Sequence, residues 1–212
     1  MKNLFFLMVL IGSFLAMLGS CSIEEESGIS VSSVTTTIPS GSMTLGSYTV
    51  SGVYKSGCFT SGVSTLISQG AFPSDVNSYG FVFVVTGDTE FTQETHSFTD
   101  TGCTSSASSY ISKLVRNNVT VGTASGSNYP VNYKKNGTKL TVNTSTAETW
   151  LENLYSNLGI SLDMTVGTEK TLGGDGSTAY GLWTPGDTTI YLATESTSST
   201  PSTAGVIVFN KE

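Results

Sequence analysis

Charge is scarce in this chain. Asp, Glu, Lys and Arg make up 12% of its 212 residues, about half of the usual share. The 9 basic residues are outnumbered by 16 acids, for a formal net charge of −7. Recognition of nucleic acid, or of anionic lipid by protein side chains, needs basic patches, so neither is expected. Histidine occurs once, as His96, with no further zinc-type ligand near it in sequence. Strand alternation would put it on one face with Glu90 and Glu94, a face expected to be exposed to solvent. A Gly-x-Ser-x-Gly elbow is missing, and so is Cys with His in nucleophilic spacing. Asp175, inside Gly173-Gly174-Asp175-Gly176, lacks the Lys-Ser/Thr of a P-loop and the alternating acids of an EF-hand, and reads as a turn. Asp88, Asp163 and Asp187 offer carboxylates that spacing does not pair. The chain is therefore expected to be no enzyme and to hold neither metal nor cofactor.

What is plentiful is neutral and polar. Ser and Thr fill 65 positions and Gly 23. Thr, Val, Tyr and Phe favour strands while Gly supplies turns, which indicates an all-β protein. About 190 residues beyond the leader described next suit one domain with a sizeable core.

Residues 4–18 are almost unbroken Leu, Phe, Met, Val, Ile and Ala, after a lone Lys2. That run of about 15 has the length of a signal-peptide core and falls short of the roughly 20 that cross a bilayer as a helix. It ends in Leu18-Gly19-Ser20-Cys21. This tetrapeptide resembles the lipobox of bacterial lipoproteins, which implies cleavage before Cys21 and a diacylglycerol on its thiol. An uncleaved membrane helix and a secreted protein cut after Ser20 are the competing readings. Under the lipoprotein reading, residues 1–20 are a signal peptide and the lipid on Cys21 holds the chain on a membrane, since stable anchoring takes more than one acyl chain. Ser22 stands where Asp would resemble an inner-membrane retention signal, which favours the outer membrane. Loss of Lys2 leaves 8 basic residues against 16 acids, a charge of −8. Cys58 and Cys103 are then an even pair outside the cytoplasm and are expected to form a disulfide. The alternative, two free redox-active thiols, lacks a Cys-x-x-Cys pair.

Residues 21–46 are Ser, Thr, Gly and Glu with weak periodicity, and read as a flexible tether to a domain over 47–212. Residues 48–55 read as a strand, and 59–79 as a long connection with a helical turn at 63–67. Residues 81–85 and 90–99 read as strands joined at Thr86-Gly87-Asp88-Thr89, with Gly87 available for a positive φ. A further strand is expected over 118–123. Residues 129–135 and 138–144 flank Asn136-Gly137, the strongest short hairpin pattern. Ser145-Thr146-Ala147-Glu148 resembles a capping box. Trp150, Leu151, Leu154, Tyr155 and Leu158 then make one apolar helical stripe, with Gly159 as its terminator. Residues 160–166 alternate as a strand and 167–178 read as a loop. Strands over 179–183, 188–194 and 204–210 complete a meander.

Consecutive hairpins with few long crossovers favour an all-β, up-and-down antiparallel barrel of about 8–10 strands with one amphipathic helix. An immunoglobulin core would want a Trp between Cys58 and Cys103, where neither Trp150 nor Trp183 lies. Gly52-Val53-Tyr54 is similar to the Gly-x-Trp of a first lipocalin strand, with Tyr54 in the place of Trp. The long connection follows it, and Phe98-Thr99-Asp100-Thr101-Gly102-Cys103 carries the partner of Cys58. On these residues the chain resembles the lipocalin-like β-barrels of bacterial lipoproteins over most of 47–211. Lys211 stands near the last strand, where that family has an Arg packed on the Trp.

Two functional expectations follow from the resemblance and from 9 Tyr and 10 Phe. One is a barrel that holds a small apolar or amphipathic ligand, admitted at the end covered by residues 59–79. The other is a surface interaction or structural lipoprotein whose barrel is filled by side chains, with no small-molecule ligand, and which contacts proteins or glycans through Ser/Thr-rich loops.

Overall fold

The computed structural model describes residues 35–212; Cys21, its leader and the start of the expected tether lie outside the described residues. The strands are β1 (Met43–Leu45), β2 (Tyr48–Val50), β3 (Val53–Lys55), β4 (Ser78–Gly87), β5 (Glu90–Phe98), β6 (Ser108–Val121), β7 (Tyr129–Val142), β8 (Glu169–Gly173), β9 (Thr178–Pro185), β10 (Thr189–Leu192) and β11 (Val208–Lys211). The helices are α1 (Val63–Ser68) and α2 (Ser145–Ser156). Eight strands close a ring in the order β3-β4-β5-β6-β7-β9-β10-β11, with β11 back on β3 and every pair antiparallel. The expected up-and-down barrel is present. Strand β8 is an addition on β7, and β1 with β2 forms a separate hairpin.

Alternation fills the waist of the barrel. Along β4, Tyr79, Phe81, Phe83 and Val85 belong to the central core, because residues two apart share a face. Phe91 of β5 and Trp183 of β9 meet Phe83 there, with ring centroids 5.1 to 5.4 Å apart. Tyr133 sits edge-on to Phe91 at 5.0 Å. Tyr54 packs on Phe83, and the Lys211 ammonium lies 5.8 Å above the Tyr54 ring. Tyr54 and Lys211 thus make a cation–π contact.

Residues 35–46, expected to be part of a flexible tether, pack on the domain instead. Thr35 and Thr37 donate to the buried Glu94 carboxylate, and Ser40 N–H donates to the Val85 carbonyl. Met43, Leu45 and Val50 then close one end of the barrel core. The sequence hid this because side-chain hydroxyls, rather than a strand period, hold residues 35–42. The strand expected over 48–55 is broken into β2 and β3 at Gly52, whose φ is +88°.

The largest correction lies at Asn136-Gly137. No hairpin turns there; β7 runs straight through. Lys135 pairs with Arg116 and Gly137 with Val115, so Asn136 is the extra residue of a bulge. At this point β7 also changes its other partner, from β9 (residues 129–134) to β8 (residues 137–141). The second glycine of the neighbouring loop makes the change possible. A Cβ on Gly174 would lie 2.2 Å from the Lys135 carbonyl oxygen and 2.5 Å from the Asn136 carbonyl carbon. Strand β6 likewise begins at Ser108, ten residues before the expected strand. Its mixed faces, with Ser112 inside and Ile111 and Val115 outside, had blurred the period. Gly87 takes no positive φ; a register shift beside it closes the β4–β5 hairpin instead.

Helix α2 is capped by Thr144, whose hydroxyl accepts from Ala147 N–H, rather than by the expected Ser145–Glu148 box. Gly159, at φ +75°, ends it as expected, with Ile160 N–H on the Tyr155 carbonyl and Gly159 N–H on the Ser156 carbonyl. Residues 160–166 form no strand. Leu162 and Met164 are buried under α2, and Glu152 accepts from Met164 N–H. Their alternation reflects packing on a helix. The loop expected over 167–178 contains β8.

Gly174→Ala should lower stability by about 1–3 kcal/mol, the cost of forcing atoms into filled space. Gly173→Ala, which meets nothing within 4 Å, should be close to neutral. Urea unfolding midpoints of the two variants check this.

Candidate functional site

The end of the barrel opposite the β1–β2 hairpin is where β7 has left β9 for β8. Inner-face residues Tyr110, Leu140 and Val142 have no strand across from them at this level. They pack on Ala147, Leu151 and Tyr155 of α2. The helix therefore stands in the opening, where sheet would otherwise continue.

The connection 56–77 completes the cover. Phe59 bridges to Tyr79, and Val63, Leu66, Phe72 and Val76 plug into the core. Three of its fastenings bear on the site. The Cys58–Cys103 disulfide ties its base to the β5–β6 link, as expected from the cysteine pair. Asp75 accepts from Ser109 with one carboxylate oxygen and from Thr144, the α2 cap, with the other. The Trp150 indole N–H donates to the Gly70 carbonyl at 3.1 Å, and the same indole sits edge-on to Tyr110, centroids 5.2 Å apart.

Between this cover and the inner faces of β5 and β6 is a cavity of about 100 Å³. Phe72, Phe81, Phe209, Leu151, Leu154 and Tyr155 give it apolar walls. Gln93, Thr95 and Ser112 make a polar strip on the strand side, with Thr95 directly across from Ser112. Burial pushes the Tyr110 hydroxyl well above its ordinary value, against a hydrogen bond with Ser112 that lowers it, and pushes Tyr155 up to about 12. Both phenols stay neutral. Gln93 Oε1 is buried and has no hydrogen-bond partner. Of the lining residues only Gly70 is exposed, beside the half-buried Trp150 and Leu154.

His96 is not on an exposed face. It is 1% exposed, and its Nε2 lies 2.7 Å from Glu94 Oε2. Both project outward from β5, away from the cavity, under residues 35–37. Burial opposes ionisation of Glu94. The hydrogen bond and charge of His96, the Thr37 hydroxyl and the Lys113 ammonium outweigh it and hold the carboxyl below its ordinary 4.5. Lys113 also pairs with Glu169 and Thr36. Glu90, expected on the same face, is exposed at the strand start. Asp175 caps its own turn through Ser177, and Asp88 accepts from Ser42 N–H.

A second buried charge group faces inward near the bulge in β7. Glu195 accepts from Arg116 at 3.0 Å and pairs with Lys135 at 3.2 Å. Burial and the Glu195 charge hold the Tyr133 hydroxyl protonated far above its ordinary range. Nothing in the spacing of Arg116, Lys135 and Glu195 announced that group. The cavity was half visible: the aromatic stripe of α2 was legible, while Tyr110, Gln93 and Ser112 sit on strand faces without a clean period.

Because the folded Glu94 pKa is depressed, its contribution is complete above pH 4.5 and is lost as pH falls through the lower folded value. Urea midpoints measured from pH 7 to pH 3 should therefore drop below pH 4.5, and Glu94→Gln should flatten that acid limb. No protein-family model matches this chain, and no curated protein matches it.

Proposed function

We propose that this domain binds a small apolar or amphipathic molecule inside its barrel, on a chain anchored to the bacterial outer membrane by a lipid on Cys21. The observation that carries the binding reading is the cavity itself: walled by aromatic and aliphatic side chains, with a polar strip on one side, in a barrel closed elsewhere by packed rings. The cavity's composition is that of small-ligand pockets, and at about 100 Å³ it is smaller than most of them. Entry is between Gly70 and Trp150, in the cover formed partly by the long connection, because the only exposed lining residue lies there. Binding rather than catalysis is the role proposed, since Tyr110 and Tyr155 are held neutral and the Glu94 carboxylate is taken up by His96, Thr35 and Thr37 on the outer face.

The anchor rests on the lipobox resemblance and on the length of the leader. A lipocalin-like assignment is supported by the closed eight-strand barrel, the Tyr54–Lys211 contact and the position of the disulfide. The filled waist supports the second reading, a surface interaction protein without a small ligand, and one experiment separates the two.

Native mass spectrometry of the mature chain, purified from its host, should show a species heavier than the lipidated polypeptide that loses the extra mass on denaturation. Leu114→Trp, which adds bulk to the cavity wall, should remove that species while leaving the circular dichroism spectrum unchanged. A bare polypeptide mass, with no uptake across a panel of lipids and small aromatics, would leave the interaction protein standing. In cells grown with labelled palmitate the wild-type chain should take up label and Cys21→Ala should not.

A further inference from the structure

Resting on the reading of this cavity as a ligand site, we infer that its ligand is a neutral molecule carrying a hydrogen-bond donor (an alcohol, phenol or amide), with Gln93 Oε1 as the acceptor that selects it. Among the described residues, this oxygen is the one buried side-chain polar atom without a partner. It belongs to a residue that lines the cavity, and because the oxygen itself is buried it meets a ligand through a turn of its terminal amide. Buried acceptors left unpaired are costly, so a donor delivered to this oxygen gains more than it would at the surface.

The surroundings exclude charged ligands. Glu94 borders the cavity on β5, but its carboxylate points to the outer face, into His96, Thr35 and Thr37. Among the described residues no Lys, Arg or His lines the space. A carboxylate or phosphate would therefore be desolvated without a counter-charge, and a cation would fare no better. Thr95 and Ser112 extend the polar strip beyond Gln93, so the ligand's polar end lies against β5 and β6. Its apolar body faces Leu151, Leu154 and Tyr155. At about 100 Å³ the space is smaller than the 150 Å³ apolar cavity that holds benzene, so a one-ring ligand fills it and projects toward the exposed Gly70.

The test uses four probes built on one toluene ring against the mature chain by calorimetry: 4-methylphenol, 4-methylanisole, toluene and 4-methylbenzoate. The phenol should bind about tenfold more tightly than the anisole, the worth of one buried hydrogen bond, and the benzoate weakest of all. Gln93→Met, which keeps the length and removes the acceptor, should bring the phenol down to the affinity of the anisole. The ranking in the wild-type protein is decisive even if that variant does not fold. Equal binding of phenol, anisole and toluene would overturn the role of Gln93 and mean that water serves it, while the cavity reading would survive. Tightest binding of the benzoate would overturn the neutral-ligand inference in the same way. If none of the four bound the wild-type protein at millimolar concentration, both this inference and the ligand site would fall.

Discussion

The divided pairing of β7 is the constraint on which the rest of this structure depends. A closed ring of eight strands has an interior that side chains alone can fill, and at the waist Phe83, Phe91 and Trp183 do fill it. Past Asn136 the ring is no longer continuous, because β7 now pairs with β8 and has parted from β9. The inner faces of β6 and β7 are left with an apolar surface and no sheet across from it. Helix α2 supplies the missing wall, but a straight helix cannot match the curvature of a barrel strand at every point. The mismatch is the cavity, bounded by Leu151 and Tyr155 on one side and by Gln93 and Ser112 on the other.

The fastenings of the cover differ in strength, and the weakest is at its most exposed point. The disulfide closes a 45-residue separation, worth about 4 kcal/mol in the chain-entropy model. The two Asp75 bonds are charge-assisted, roughly 1.5–3 kcal/mol each, whereas the neutral Trp150–Gly70 bond is worth roughly 0.5–1.5 kcal/mol. That last bond also lies at the exposed end of the cavity. It is the weakest of the three, while Cys58, Phe59 and Asp75 hold the rest of the connection in register. The stable base and the weakly held tip come from the same stretch of chain.

The fold class was legible because it rests on properties summed over many residues: strand formers, frequent glycine and short connections. The α2 stripe was legible because a 3.6-residue period survives in Leu151, Leu154, Tyr155 and Leu158. What misled were local patterns whose meaning is set by a distant partner. Asn136-Gly137 has the chemistry of a hairpin, but Gly174, 38 positions further along the chain, packs against it and turns the pair into a bulge. Residues 160–166 alternate like a strand because Leu162 and Met164 pack on a helix. The cavity wall escaped for a related reason: a strand facing a partly polar space, with apolar residues on its outer side, has no period for sequence to display.

The scarcity of charge takes a different meaning once the chain is folded. Lys113, Arg116 and Lys135 are all buried, each paired with a glutamate. Part of an already small basic complement is therefore withdrawn from the surface, and the outside is even less ionic than composition suggests. Such a surface offers little electrostatic protection against strand-to-strand association, so closure has to provide it. The ring removes the edges of eight strands. Strand β8, at the end of the sheet order, keeps one, and it is five residues long with Glu169 and Lys170 at its start. Glu169 is held by Lys113 and Lys139. The extra strand that opens the barrel thus carries charges at the edge it exposes, so the space beside α2 is gained with only a short, charged edge left open to another chain.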